Sequence, residues 1–147
     1  MAEEQRKQKG VAIDYSNQAI SVHWEPSLCI HTGNCLRSLP EVFDSQARPW
    51  VRPDAAGADD IARVVETCPT GALSYSRHDG GAEETGAEVS EVEPRLNGPL
   101  FLRGRLELVD ASGDVLRRAT RMALCRCGES ANKPYCDLSH RRVDFRS

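Results

Sequence analysis

Residues 125–140 read CRCGESANKPYCDLSH, and Cys125, Cys127, Cys136 and His140 within them decide what the second half of the chain is built around. The spacing is C-x-C-x8-C-x3-H, with Ser130 and Pro134 inside the long gap. Three thiolates and one imidazole this close in sequence supply the four protein ligands that a small iron or zinc centre requires. The C-x-C pair is tighter than the C-x2-C knuckle usual for zinc. A tetrahedral Cys3His zinc site nevertheless uses the same donor atoms and stays open on spacing alone.

Upstream, Leu100, Leu102, Leu106 and Leu108 share one parity of an extended run, and Asp110-Ala111-Ser112-Gly113-Asp114 supplies turn chemistry. Val115 and Leu116 begin a return strand that leads into Cys125. The stretch closely resembles the CDGSH iron–sulfur family, whose pattern is C-x-C, then Ser or Thr, then Pro-x-Cys-Asp-Gly-x-His. Cys125, Cys127, Ser130, Pro134, Cys136, Asp137 and His140 carry the match, and LNGPLFLRGRLELVDASGD resembles the family's strand lead-in. The resemblance implies a [2Fe–2S] cluster on Cys125, Cys127, Cys136 and His140, with a homodimer allowed because single-motif members often pair. Leu138 departs from the pattern, standing where the family has Gly. If that position needs φ > 0, Leu is strained by roughly 1 kcal/mol or more, and Asp137 can compensate by bonding nearby amides. A His ligand raises the potential relative to an all-Cys cluster and couples it to protons. The expectation is a pH-dependent midpoint and acid lability, both lost in His140→Cys.

The first half carries a second set, Cys29-Ile30-His31-Thr32-Gly33-Asn34-Cys35, followed after 32 intervening residues by Cys68-Pro69. Against the C-x2-C-x2-C and distant C-P of bacterial cubane ferredoxins, Thr32 stands in the second cysteine's place. Residues 11–75, through CIHTGNC, LPEVFD, RPWV and CPTGAL, resemble the divergent single-cluster ferredoxin family. The resemblance implies one cluster on Cys29, Cys35 and Cys68. Three thiolates match the three irons of a [3Fe–4S] form, which is preferred, whereas a [4Fe–4S] form needs a fourth ligand from solvent, Thr32 or His31. His31 reads as a loop residue that bonds backbone or solvent, with ligation the alternative, whereas for the three cysteines ligation is the reading and unligated core thiols the alternative. Gly33 and Gly71 allow backbone N–H groups to approach cluster sulfurs.

Around these ligands, Val11, Ile13 and Tyr15 and then Ile20, Val22 and Trp24 alternate with polar residues across Ser16-Asn17-Gln18, which predicts a β-hairpin. Ile61, Val64, Val65 and Cys68 fall on one face of a helix opened by Asp59 and Asp60, so that helix presents Cys68 to the interior. Trp24 and Trp50 read as packing for a small core.

Six cysteines in a chain whose first ten residues lack an apolar run point to metal in a reducing cytosol rather than to disulfides. A net charge of -3 and the lack of a spanning apolar run argue against nucleic acid and membrane. Residues 78–97 hold Asp79, Glu83, Glu84, Glu88, Glu91 and Glu93 against Arg95, with sparse apolar residues, and read as an acidic flexible linker. The predicted organisation is a ferredoxin-like module at 8–77, that linker, and a mostly β CDGSH-type module at 98–147, together α+β. Modules this small need metal or oligomerisation to supplement their cores, so removing iron is expected to unfold or loosen both. The expected protein is a cytoplasmic two-cluster electron carrier or redox sensor meeting redox proteins. The alternative is a cluster store that hands a labile [2Fe–2S] to apo-iron–sulfur acceptors. An enzyme is not expected, since no nucleotide loop or nucleophile constellation stands out and HDGGAEETG lacks a phosphate-binding pattern.

Overall fold

Asn17 closes the first hairpin. Its Oδ1 accepts the backbone N–H groups of Ala19 and Ile20, each at 2.9 Å, between β1 (Ile13–Ser16) and β2 (Ile20–Trp24). The computed structural model describes residues 12–147, so Val11 and the charged first ten residues lie outside the described residues. β3 (Leu73–Arg77) completes an antiparallel sheet in the order β1-β2-β3. Ile20, Val22, Leu73 and Tyr75 from one face of this sheet join Val42, Phe43, Val51 and the helix residues Ile61, Val64 and Val65 in one buried cluster. Each fully buried aliphatic side chain contributes about 1.5–3 kcal/mol. On the opposite face Asp14 holds His23 Nδ1 at 2.6 Å and His23 Nε2 meets Ser76 Oγ at 2.9 Å, a relay that knits all three strands.

Two helices carry the first ligand set. The short α1 (Asn34–Ser38) begins at Gly33, and α2 (Ala58–Val65) has Asp59 and Asp60 in its first turn, as the sequence suggests. Cys68 does not ride on α2. The helix ends at Val65, and a further turn follows in which Thr67 Oγ1 donates to Val64 O at 2.6 Å and Cys68 N–H to Val65 O at 3.0 Å. Pro69 explains the stop, because a residue before proline is pushed out of the helical region. Cys68 still packs against the core.

The second sheet orders β4 (Glu91–Pro94), β5 (Leu100–Val109) and β6 (Val115–Leu124), all antiparallel. Leu100, Leu102 and Leu106 face Leu124, Met122 and Ala119 across the ladder, with a register shift between Arg103 and Leu106. Gly104 lies in the shift at φ 145, where a Cβ would stand 2.6 Å from Ser90 Oγ. Asp110 Oδ1 caps the hairpin turn by accepting from Ser112 and Asp114 at 2.8 and 3.0 Å.

The acidic stretch 78–97 is more ordered than its composition suggests. The chain divides into two compact units: one runs to Cys68 and resumes at Ala72–Glu83, and the other comprises Pro69–Gly71 and Glu84–Ser147. β4 thus belongs to the second unit, paired backbone to backbone with β5, and its order comes from ladder hydrogen bonds rather than apolar burial. Glu84 meets the buried guanidinium of Arg121 at 2.8 and 2.9 Å and accepts from Thr120 Oγ1 at 2.6 Å. In the first unit, Asp79 takes two contacts from Arg77, at 2.9 and 2.7 Å, which hold its carboxyl at about 2. Two three-stranded sheets with short helices make the class α+β. Among the described residues no helix is long and apolar enough to cross a membrane.

Candidate metal centres

The C-terminal set is assembled where β6 runs out. Leu124 forms a last bridge with Tyr135, while Cys125 N–H donates to Pro134 O at 2.8 Å and Cys136 N–H to Ala123 O at 2.9 Å. Those bonds bring the far arm of the loop back beside Cys125. Within the loop, Ser130 is 4% exposed, donates to Tyr135 O at 2.6 Å and accepts from Asn132 N–H at 3.0 Å. Asp137 accepts from Ala131 N–H at 2.8 Å and from Ser139 N–H at 2.9 Å, bracing the loop and starting α3 (Ser139–Arg142), which carries His140. Leu138 adopts φ 71, the left-handed conformation its position in the motif leads one to expect.

The donor atoms fall into two pairs. Cys125 and Cys127 sulfurs are 3.7 Å apart, and Cys136 Sγ lies 3.6 Å from His140 Nδ1. All four line one small, tight opening, with Pro99, Arg126 and Asp137 at its wall. Backbone donors aim at the sulfurs: Glu129 N–H reaches Cys127 Sγ and Leu138 N–H reaches Cys136 Sγ, both at 3.4 Å. Burial alone would raise the Cys125 thiol, but the amides of Ser130 and Gly128 and the Cys127 thiol outweigh it and bring it below the ordinary value. Cys136 is pushed up by burial. His140 is held down by burial and then by the charge of Arg141, against the pull of Asp137.

In the first unit Cys29, Cys35 and Cys68 lie close enough for their charges to act on one another, and burial raises both Cys29 and Cys35. Asn34 Nδ2 donates to Thr67 O at 3.3 Å, tying α1 to the turn that bears Cys68. Cys29 gathers several donors. The backbone amide of His31 and the Trp24 side chain both hydrogen-bond its sulfur, and His31 Nδ1 lies 3.7 Å from it. Trp24 also meets Trp50 edge-on at 4.9 Å, so it packs the core as expected and serves the thiol as well. Nothing in the sequence pattern signals that second contact. His31 and Gly33 both take left-handed backbone, at φ 58 and 76, and Gly71 does so at φ 73. Thr32 is exposed. Among the described residues no three His, Cys, Asp or Glu side chains converge closely enough to hold a single metal ion.

Comparison with known proteins assigns these two arrangements. Residues 15–78 match the model of a family described as a divergent 4Fe-4S mono-cluster, and residues 97–141 match the iron-binding zinc finger of CDGSH type. The chain is 38% identical over 64 residues to the uncharacterized protein YjdI of Escherichia coli (strain K12), covering 44% of this chain and 83% of the relative. The match to YjdI of Escherichia coli O157:H7 has the same extent and identity. Each part of the chain thus matches one iron-binding family model. The chain is an iron–sulfur protein, with a mono-cluster domain followed by a CDGSH domain.

Proposed function

We propose that the chain is a two-cluster electron-transfer or redox-sensing protein, with a [2Fe–2S] cluster on Cys125, Cys127, Cys136 and His140 and a second cluster on Cys29, Cys35 and Cys68. The pairing of donors in the CDGSH domain carries this reading. Two ligands about 2.3 Å from one tetrahedral metal stand about 3.7 Å apart. Each pair therefore fits one metal, and two pairs with no convergent triple among the described residues fit two metals better than a lone zinc. An iron–sulfur cluster supplies one-electron exchange. The chain's own part is to hold the four donors and to aim the amides of Glu129 and Leu138 at sulfur, which favours the reduced charge.

For the mono-cluster domain, the three-iron form matched to three thiolates gains no support from the family, whose description names 4Fe-4S. We take the four-iron form in a ferredoxin-like module. Anaerobic purification with iron and sulfide counts, and EPR before and after reduction, tests both sites together. About six irons per chain and two distinct signals are expected. About two irons would remove the N-terminal cluster, and a colourless protein carrying zinc would overturn the C-terminal one.

His140 favours a second reading, cluster storage or transfer, because a neutral imidazole on a half-exposed residue is the most exchangeable of the four donors. Mixing holo-protein with an apo-ferredoxin separates the two: loss of iron to the acceptor supports transfer, and loss of electrons alone supports electron carriage. Under either reading His140→Cys is expected to lower the midpoint and remove its fall with rising pH between about 6 and 8.

A further inference from the structure

We propose that the His140 end of the C-terminal site is a docking face for an acidic redox protein, with Arg141 and Arg142 as its steering charges. This rests on the reading that Cys136 and His140 hold one end of a [2Fe–2S] cluster.

The basic residues of the second unit differ sharply in what they do. Arg121 is buried against Glu84, Arg118 pairs with Glu107 and Arg146 with Asp144, and Arg126 bonds Gly98 O, Arg95 O and Ser147 Oγ. Arg141 and Arg142, by contrast, are exposed and make no ion pair among the described residues. They directly follow His140 on α3, a single turn of four residues. Among the described residues no nearby carboxylate forms an ion pair with them. Asp137 is committed to the amides of Ala131 and Ser139, and Asp144 to Arg146, while exposed Glu129 lies beside the other pair of donors. Two positive charges without an ion pair among the described residues therefore stand at the histidine end.

The whole chain is negative, at -3. Screening decides which charge a partner meets, because the Debye length is about 8 Å at physiological salt. An approaching acidic protein senses the two arginines beside His140 and little of the distant excess. Such steering raises association rates by about ten- to a thousandfold and fades with salt.

Full-length protein reduced with dithionite provides the test, with reoxidation of the [2Fe–2S] EPR signal followed by freeze-quench using two small probes. Ferricyanide accepts one electron and becomes ferrocyanide, and hexaammineruthenium(III) accepts one and becomes the ruthenium(II) complex. With ferricyanide the rate is expected to fall at least about tenfold between low and high salt, while the cationic probe shows the opposite trend. Arg141→Gln with Arg142→Gln is expected to flatten both slopes at unchanged iron content. Overturning results are a ferricyanide rate that rises with salt, as the net negative chain alone would give, or slopes unmoved by the double substitution. Should that substitution lose iron, the salt trends of the native chain with the two probes still decide. Absence of any [2Fe–2S] signal after reduction is a separate outcome that strikes the cluster reading beneath the docking face.

Discussion

Leu138 sits at φ 71 with its N–H 3.4 Å from the Cys136 sulfur, so the turn that aims this amide needs a backbone conformation leucine resists. Left-handed backbone costs a residue with a Cβ roughly 1–2 kcal/mol, and glycine forfeits roughly 0.5–1 kcal/mol through its freer unfolded chain. Leu138→Gly is therefore expected to stabilise the CDGSH domain by roughly 0.5 kcal/mol, read as a higher denaturation midpoint with the cluster retained. The strain was legible in the sequence because the motif marks that position for glycine. The crowd of donors on Cys29 was not, since the direction of the Trp24 and His31 side chains depends on a loop whose shape no periodicity encodes. With Cys29 as the cluster ligand proposed above, its thiolate has no proton to give, so in the 3.7 Å contact it is His31 Nδ1 that donates. Removing this donor in His31→Ala destabilises the reduced state. The expected result is a midpoint for the N-terminal cluster more negative by about 59 mV, a tenfold change in the reduction equilibrium, measured by EPR-monitored titration.

Among the elements, the hairpins announced themselves and β4 did not. Alternation predicted β1, β2 and β5, and their turns close on Asn17 and Asp110 as the residue types suggest. β4 is exposed at all four residues, so it buries nothing that a hydrophobic pattern could register. The same blindness hid Glu84, whose acidic neighbours read as solvated charge although its carboxylate meets Arg121, a side chain only 2% exposed. Removing one partner of a buried pair leaves the other's charge uncompensated. Glu84→Ala is expected to cost about 3 kcal/mol in denaturant unfolding of the second unit. The pH dependence follows from the same contact. Burial would raise the Glu84 carboxyl, but Arg121 and Thr120 outweigh it and the folded value lies below the ordinary one. Its contribution is then fully present above about pH 4.3 and is lost as pH falls through the depressed folded value. The stability gap between native protein and Glu84→Ala should accordingly narrow below about pH 4.

At the scale of the molecule, the even split of cysteines about an acidic stretch suggested two modules, and the second compact unit begins at Glu84, with β4 pairing from Glu91 and the Glu84 carboxylate on Arg121. Units this small gain little net stability from their cores alone, so under the proposed two-cluster reading metal is a structural member of each. Full-length Cys68→Ser is expected to lose the N-terminal irons and keep the [2Fe–2S] absorbance, and Cys136→Ser to do the reverse. Equal loss from both variants would mean that the sites depend on each other. The ligand sets also differ in how far apart the chain holds their members. From Cys125 to His140 the donors are gathered by one loop closing on the end of β6, whereas Cys68 reaches Cys29 and Cys35 only after α2 has found the core. Closing the longer loop carries the larger entropic cost, and a packed helix must supply the compensation. During synthesis the two sites therefore ripen by different clocks: the later-made one is ready as soon as its own loop closes, and the earlier-made one must wait for its fold.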